Sequence, residues 1–205
     1  MHGRIALFDG ASGALQQTAT WTGIVEVTAL AFSPQGDRLL AVASPDRIAI
    51  WRVPDLHPLW ELTNARPASW AFSADGAKLA LGQEDNLVTL WNATNGIALA
   101  ALTGHKQRVS RVAFTRDSAT LASAGADGEI RFWHLRTLRE LGAWPGRGDC
   151  DFLNFVAGDD ALCVGRPGAG VRLWRVPTVA EVDREAGAPP VRAGAKHFSS
   201  GILQH

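Results

Sequence analysis

The chain is predicted to be an all-β array of four-stranded antiparallel sheets stacked around an axis, and three observations predict it. Phe32, Phe72, Phe114 and Phe155 are each followed nineteen residues later by a tryptophan: Trp51, Trp91, Trp133 and Trp174. Within each of these intervals a leucine stands seven residues after the phenylalanine: Leu39, Leu79, Leu121 and Leu162. The distance from each Trp to the next Phe instead varies, at twenty-one, twenty-three and twenty-two residues. A period of about 41 residues with one rigid and one elastic part is a packed unit copied along the chain, its variable loops gathered on one edge. Function is expected on those loops.

Each strand of the unit follows from local pattern. The runs VTALAF and RVSRVAF end on the repeat phenylalanines and read as first strands; FSPQG (Phe32 to Gly36) and FSADG (Phe72 to Gly76) are the turns after them. LALGQEDNLVTLW (Leu79 to Trp91) and LASAGADGEIRFW (Leu121 to Trp133) are paired apolar runs around a Gly/Asp-bearing turn, too close together to hold a helix. They read as hairpins of the second and third strands. A further turn such as NATNG (Asn92 to Gly96) leads to a fourth short run such as IALAAL.

Side chains alternate between the two faces of a strand. Ile48 and Ile50, Val88 and Leu90, Ile130 and Phe132, and Val171 and Leu173 lie opposite the Trp of their own third strand. Both faces of that strand are therefore apolar, which a sheet with one wet face would not be, so each sheet is expected to sit between two others. Ala31, Ala71 and Ala113 keep the first strands slim near the axis, with Asn154 in the fourth repeat.

This frame resembles the WD-repeat (WD40-type) β-propeller family, whose blades are four-stranded sheets around a central channel. The resemblance covers nearly the whole chain, in a divergent form. It is fullest in repeat three, with Gly104-His105, Ser123, Asp127 and Trp133. It implies that His105, Ser123, Asp127 and Trp133 form a hydrogen-bonded tetrad; a buried indole N–H, imidazole and carboxylate all need partners in any case. The other repeats carry Ala41, Leu81 and Val164 at the Ser position and Pro45, Asp85 and Gly168 at the Asp position, and lack the Gly-His. Phe32, Phe72, Phe114, Phe155, Trp51, Trp91 and Trp174 are expected in the blade cores. The expected layout is a single array over 1–205: a half-blade at 1–20, blades at 21–62, 63–102, 103–143 and 144–182, and a loop with a second half-blade at 183–205.

Twenty Lys plus Arg balance twenty Asp plus Glu. No overall field draws the protein to nucleic acid or an anionic membrane, so neither is expected as a partner. Cys150 and Cys163 have no metal-like or redox-like spacing, and the lack of Cys pairs fits a reducing compartment, so a cytoplasmic setting is expected. The longest apolar run, IALAAL, is too short to span a bilayer. Seventeen Arg against three Lys, with abundant Ala and Gly, is a bias of GC-rich bacterial genomes.

Catalytic chemistry finds little support in the motifs. His2, His57, His105, His134, His197 and His205 show no metal-ligand spacing, so no metal or other cofactor is expected. There is no nucleophile elbow and no phosphate-cradling glycine loop. Asp159-Asp160 reads as a solvated turn. Trp21, Trp60 and Trp144 stand outside the repeat frame as candidate exposed anchors, whereas Trp70 is expected in the core.

Two functions remain open. The resemblance implies a non-catalytic scaffold that binds a protein or peptide through top-face loops; Glu26, Arg66, Arg108 and Asp149, six residues before each Phe, are its candidate partner-binding residues. The alternative is a hydrolase- or lactonase-like enzyme at the channel mouth, built from Asp149, Asp151, Glu26 and His105. At the ends, GRIALFDGASGALQQ matches third and fourth strands, with Ile5, Leu7 and Phe8 in the places of Ile130, Phe132 and Trp133, and HFSSGILQH resembles a first strand and turn. A closed five-bladed ring, with Ile202 near Ile5, and an open fragment of a longer propeller both fit, the loop-like DREAGAPP (Asp183 to Pro190) favouring the fragment; further blades or domains of a longer chain are then expected.

Overall fold

The computed structural model describes residues 2–44, 46–145, 149–156, 158–159, 161–166 and 170–175. Strands β1 (His2–Phe8) and β2 (Leu15–Thr22) form a two-stranded sheet, a half-blade. Blade one holds β3 (Glu26–Phe32), β4 (Arg38–Ser44), β5 (Arg47–Arg52) and β6 (His57–Leu62). Blade two holds β7 (Pro67–Phe72), β8 (Lys78–Gln83), β9 (Val88–Asn92) and β10 (Ala98–Leu102). Blade three holds β11 (Val109–Phe114), β12 (Thr120–Gly125), β13 (Glu129–His134) and β14 (Arg139–Pro145). Blade four shows β15 (Phe152–Phe155), β16 (Ala161–Arg166) and β17 (Gly170–Arg175). All pairing is antiparallel between consecutive strands, and the described residues contain no helix. The fold is thus all-β, built from repeated four-stranded antiparallel sheets.

Register explains the constant spacing. Phe32 pairs with Leu39, and Leu39 with Trp51. The rows Phe72–Leu79–Trp91, Phe114–Leu121–Trp133 and Phe155–Leu162–Trp174 repeat it. Seven and nineteen residues are the chain lengths that bring three side chains into one cross-strand row. An insertion between Phe and Trp would slip the row and turn buried side chains outward; one between Trp and the next Phe falls where no such row is at stake.

The core consists of seams between consecutive sheets. Leu39, Ala41, Ala43, Ala49 and Trp51 pack on Ile5, Trp21 and Ile24 of the half-blade and its loop. Leu40, Val42, Ile48 and Ile50, on the other face of blade one, pack on Leu79, Leu81, Trp70 and Trp91. Val88 and Leu90 then meet Leu121 and Trp133, and Ile130 and Phe132 meet Leu153, Leu162 and Trp174. One face of each blade therefore carries the row tryptophan and the other the apolar pair, and unlike faces meet at every seam.

The turns after the first strands are stitched together. Gly36 (φ 72°) and Gly76 (φ 68°) hold a left-handed position that Ser118 (φ 57°) and Asp159 (φ 58°) hold in the next two blades. Where glycine is absent, the side chain reaches back to the previous blade. The Ser118 Oγ accepts from the Asp75 amide at 3.2 Å, and the Asp159 carboxylate accepts from the Arg116 amide at 2.7 Å. Between blades one and two, Gln35 Nε2 donates to the Ala74 carbonyl and Arg38 to that of Gly76, both at 2.9 Å.

Several expectations change. Phe32 is 54% exposed and so is not core, whereas Phe72, Phe114 and Phe155, like Trp91 and Trp174, are half-buried and pack against the seams from their edge. The repeat phenylalanines stand at the ends of the first strands, where Phe72, Phe114 and Phe155 line one shallow pocket with Arg116 and Asn154. The boundaries expected at residues 20 and 143 cut strands: Trp21 belongs to β2 and Trp144 to β14. Those strands continue because they pair along the full length of β1 and β13. Residues 183–205, and with them Phe198 and Ile202, lie outside the described residues.

Candidate functional site

In blade three the four tetrad residues form one chain of hydrogen bonds. His105 comes from the loop before β11, Ser123 from β12, Asp127 from the β12–β13 turn and Trp133 from β13. The His105 Nδ1 is 3.1 Å from both Asp127 carboxylate oxygens, and its Nε2 is 2.8 Å from the Ser123 Oγ. The Trp133 indole N–H donates to the same Oγ at 2.8 Å. A carboxylate can only accept, so Nδ1 carries the proton; Nε2 accepts the Ser123 hydroxyl, whose oxygen accepts the indole. The Asp127 carboxylate also accepts from the amides of Lys106 at 2.7 Å and Glu129 at 3.1 Å. Burial pushes its pKa up, but these amides and the His105 ring outweigh that and hold it below the ordinary value.

Two glycines make room for this network. A Cβ on Gly104 would lie 2.8 Å from the Arg131 guanidinium and 3.2 Å from the Trp133 ring. One on Gly125 would lie 2.5 Å from both Asp127 Oδ1 and His105 Nδ1. The Gly-His pair is thus a packing requirement as well as a chemical one.

Blade two satisfies its row indole differently, and blade one leaves its own unsatisfied. Trp91 Nε1 donates to Thr89 Oγ1 at 3.0 Å, and Gln83 Nε2 reaches the same oxygen at 2.6 Å. Among the described residues the buried Trp51 has no partner for its indole N–H, because the Ser123 position is Ala41. The Trp21 indole N–H is likewise buried without a partner among them.

The four candidate partner-binding residues lie at or just before the first strands, at the end of the sheets that carries the β12–β13 turn: the Ala126 amide donates to the Arg108 carbonyl, and the Glu84 amide to that of Arg66. They do not act alike. The Arg108 guanidinium is 2.5 Å from the Asp149 carboxylate and 3.8 Å from that of Glu84, a bridge between loops of neighbouring blades. Its hydrogen bond to Asp149 raises the Arg108 pKa. Glu26 and Arg66 are exposed and make no side-chain hydrogen bond or ion pair among the described residues.

The remaining candidates are occupied in structure. Trp21 is 4% exposed, packed edge-on against Trp51 with the Arg47 guanidinium 5.4 Å from its ring. Trp60 is half-buried and its indole donates to the Ala93 carbonyl of blade two at 3.0 Å. Trp144 is half-buried, stacked on Trp174 of blade four at 5.8 Å and edge-on to Phe132 at 4.4 Å. None is an exposed anchor; Trp60 and Trp144 are ties from a fourth strand to the next blade. Sequence reading missed that role, although their positions nine and eleven residues after Trp51 and Trp133 place them on fourth strands. The Cys150 thiol is buried, and burial raises its pKa. Among the described residues no three or more His, Cys, Asp or Glu side chains are disposed to hold a metal, and the His105 side chain is only 1% exposed. No helix among them is long and apolar enough to cross a membrane.

Residues 96–134 match the family model described as "WD domain, G-beta repeat". The chain is 29% identical over 96 residues to periodic tryptophan protein 2 of Arabidopsis thaliana, covering 46% of this chain and 11% of that protein. It is 31% identical over 111 residues to a U3 small nucleolar RNA-associated protein 15 homolog of Xenopus tropicalis, covering 53% and 22%. Among solved structures it resembles U3-55K with a TM-score of 0.67 and the RRP9 WD40 repeats with 0.69, each 23% identical and covering 77% of this chain and 50% of that one. The chain thus spans less than a quarter of the curated relatives and half of the solved chains.

These findings correct two expectations and leave a third without support. A relative that is by name associated with a small nucleolar RNA overturns both the cytoplasmic setting and the absence of nucleic acid among the partners. Zero net charge removes only the long-range field; local contacts and assembly beside RNA need no global excess of Lys and Arg. Both curated relatives are eukaryotic, so the bacterial reading of the Arg-rich composition gains nothing from them. Residues 96–134 thus match a WD-repeat model, in a chain whose fold is that of WD40 propeller domains.

Proposed function

We propose that this chain is a non-catalytic interaction scaffold, presenting the loops before its first strands to a protein partner within an RNA-containing assembly. The observation that carries the reading is the construction of that face. The tetrad and the Arg108 bridge make a firm base, while Glu26 and Arg66 project from it with their charges unspent. Charges so placed favour steering and register over raw affinity. The setting beside RNA rests on the relative associated with a small nucleolar RNA. The hydrolase alternative is not favoured, since its His105 is sealed in the tetrad and its Asp149 faces Arg108. The single array over residues 1–205 remains part of the proposal.

The test is affinity capture by the purified chain from nuclear extract, with and without ribonuclease, comparing wild type with Arg66→Glu. A defined set of proteins retained after ribonuclease and lost with Arg66→Glu at unchanged melting temperature is expected. Capture indifferent to Arg66→Glu moves the interface elsewhere, and turnover of ester or lactone substrates by the chain would replace the scaffold reading with an enzymatic one.

A further inference from the structure

Unspent positive charge gathers at one end of blade three, which has a described blade on either side. Two turns meet there: residues 115–120 follow β11, and residues 134–139 join β13 to β14. The Leu135 amide donates to the Ala119 carbonyl at 2.9 Å, so the turns lie side by side. They expose Arg116, Arg136 and Arg139, none of which makes a side-chain hydrogen bond or ion pair among the described residues. The matching turns of blades one and two spend their charges. Arg52 is held by Asp55 at 2.5 Å, Arg38 donates to the Gly76 carbonyl, Lys78 stands 3.9 Å from Asp75, and residues 92–97 carry no charge at all. The acids near the three arginines are engaged elsewhere. Asp117 accepts from the Thr115 hydroxyl at 2.6 Å and the Ala119 amide at 2.9 Å, Asp159 from the Arg116 amide, and Glu140 from Arg131. Arg116 also borders the pocket of Phe72, Phe114 and Phe155, a cavity of about 320 Å³ with Asn154 and Asp159 in its lining. That is the small end of the range of ligand cavities, about 300–1,000 Å³.

We propose that this end of blade three binds single-stranded RNA directly. Arg116, Arg136 and Arg139 take backbone phosphates, whose oxygens match the guanidinium fork. The phenylalanine-lined cavity takes a base, and Asn154 and Asp159 offer a donor and acceptors to its edge. Free cationic side chains beside aromatic rings are the combination that holds a single strand, charge following the backbone while rings stack on bases. An acidic peptide would match the three charges but has no use for an aromatic cavity, and a duplex keeps its bases stacked out of reach of one. The site lies at the opposite end of the sheets from Glu26 and Arg66 and does not depend on the protein-binding reading of that face. One blade can therefore hold a protein at one end and RNA at the other.

Fluorescence anisotropy of the full chain with a labelled, mixed-sequence single-stranded RNA of about a dozen nucleotides tests this over a salt series. A single strand contributes a slope of about −0.7 in log affinity against log salt for each phosphate neutralised, so three contacts predict about −2. Arg116→Ala, Arg136→Ala and Arg139→Ala should each make the slope shallower by about 0.7, and the triple variant should leave almost none. Phe114→Leu should weaken binding about fivefold or more with the slope unchanged, because it removes stacking and no charge. Melting temperature shows whether each variant is folded, and Phe72→Leu replaces Phe114→Leu if that one is not. A wild type that binds no RNA overturns the proposal, as does a triple variant with the wild-type slope, or affinity indifferent to both phenylalanine changes. Duplex RNA bound as tightly as the single strand, or polyglutamate displacing the RNA as well as unlabelled RNA does, overturns it too. The protein-capture test turns on Arg66 at the other end, so either reading can fail without the other.

Discussion

Asp127→Ala removes the acceptor of three donors, and its cost follows from where each is left. The Lys106 amide belongs to an exposed residue and the Glu129 amide to a half-buried one, so water replaces much of what they lose. The His105 ring is 1% exposed and has no such recourse; its Nδ1–H is stranded. A buried unsatisfied donor costs about 1–3 kcal/mol, and the weakened turn adds to it, for about 2–3 kcal/mol in total. In a chain of this length that is a fall in melting temperature of about 4–12 °C. Thermal and urea unfolding of wild type, Asp127→Ala, His105→Ala and the double variant measure it. Since the residues form one network, the double variant should cost little more than either single one. A shift below about 1 °C for Asp127→Ala, or fully additive single costs, would refute this account of the tetrad.

Other expectations follow from the same geometry. Ala41→Ser should give the orphan Trp51 indole the acceptor that Ser123 gives Trp133, raising stability by about 0.5–1.5 kcal/mol in urea unfolding; a loss would mean that the site has no room for the hydroxyl. Gly125→Ala should destabilise by about as much as Asp127→Ala, because its Cβ meets Asp127 and His105 at 2.5 Å, and the two variants combined should be far from additive. Because the folded-state pKa of Asp127 is lowered, the stability it adds is complete above the unfolded value and fades as pH falls below about 4. The stability gap between wild type and Asp127→Asn should therefore narrow in acid, and a gap that widens there reverses the sign. Trp60→Phe keeps an aromatic side chain but deletes the donor to Ala93 and trims the packed indole, and should cost at least about 1 kcal/mol in the same unfolding assay.

The sheets were legible in the sequence because they are local and periodic. Fixed distances among Phe, Leu and Trp encode a cross-strand row, and period-two alternation placed Ile48 opposite Trp51 and Ile130 opposite Trp133, in different seams as found. What escaped depends on neighbours about forty residues away. The Arg108 bridge to Asp149 and the Trp60 tie to Ala93 join adjacent blades, and nothing within one repeat announces which charged or aromatic residue will find such a partner. The exposure of Phe32 escaped for a related reason: periodicity shows that a residue repeats, whereas burial requires an element beyond it. Leu30, on the same face of β3, is 53% exposed, while Val112 and Leu153 at the matching positions are 6% and 7%. Composition misled most over partners, since charge balance over a whole chain says little about contacts made by a few loops.

Hydrogen–deuterium exchange of the chain, free and bound to a captured partner, tests the scaffold reading most directly. The account predicts new protection in peptides spanning residues 23–28, 63–68 and 104–109, which carry Glu26, Arg66 and Arg108. Protection confined to the turns at the other end, residues 33–38, 73–78 and 115–120, would contradict it.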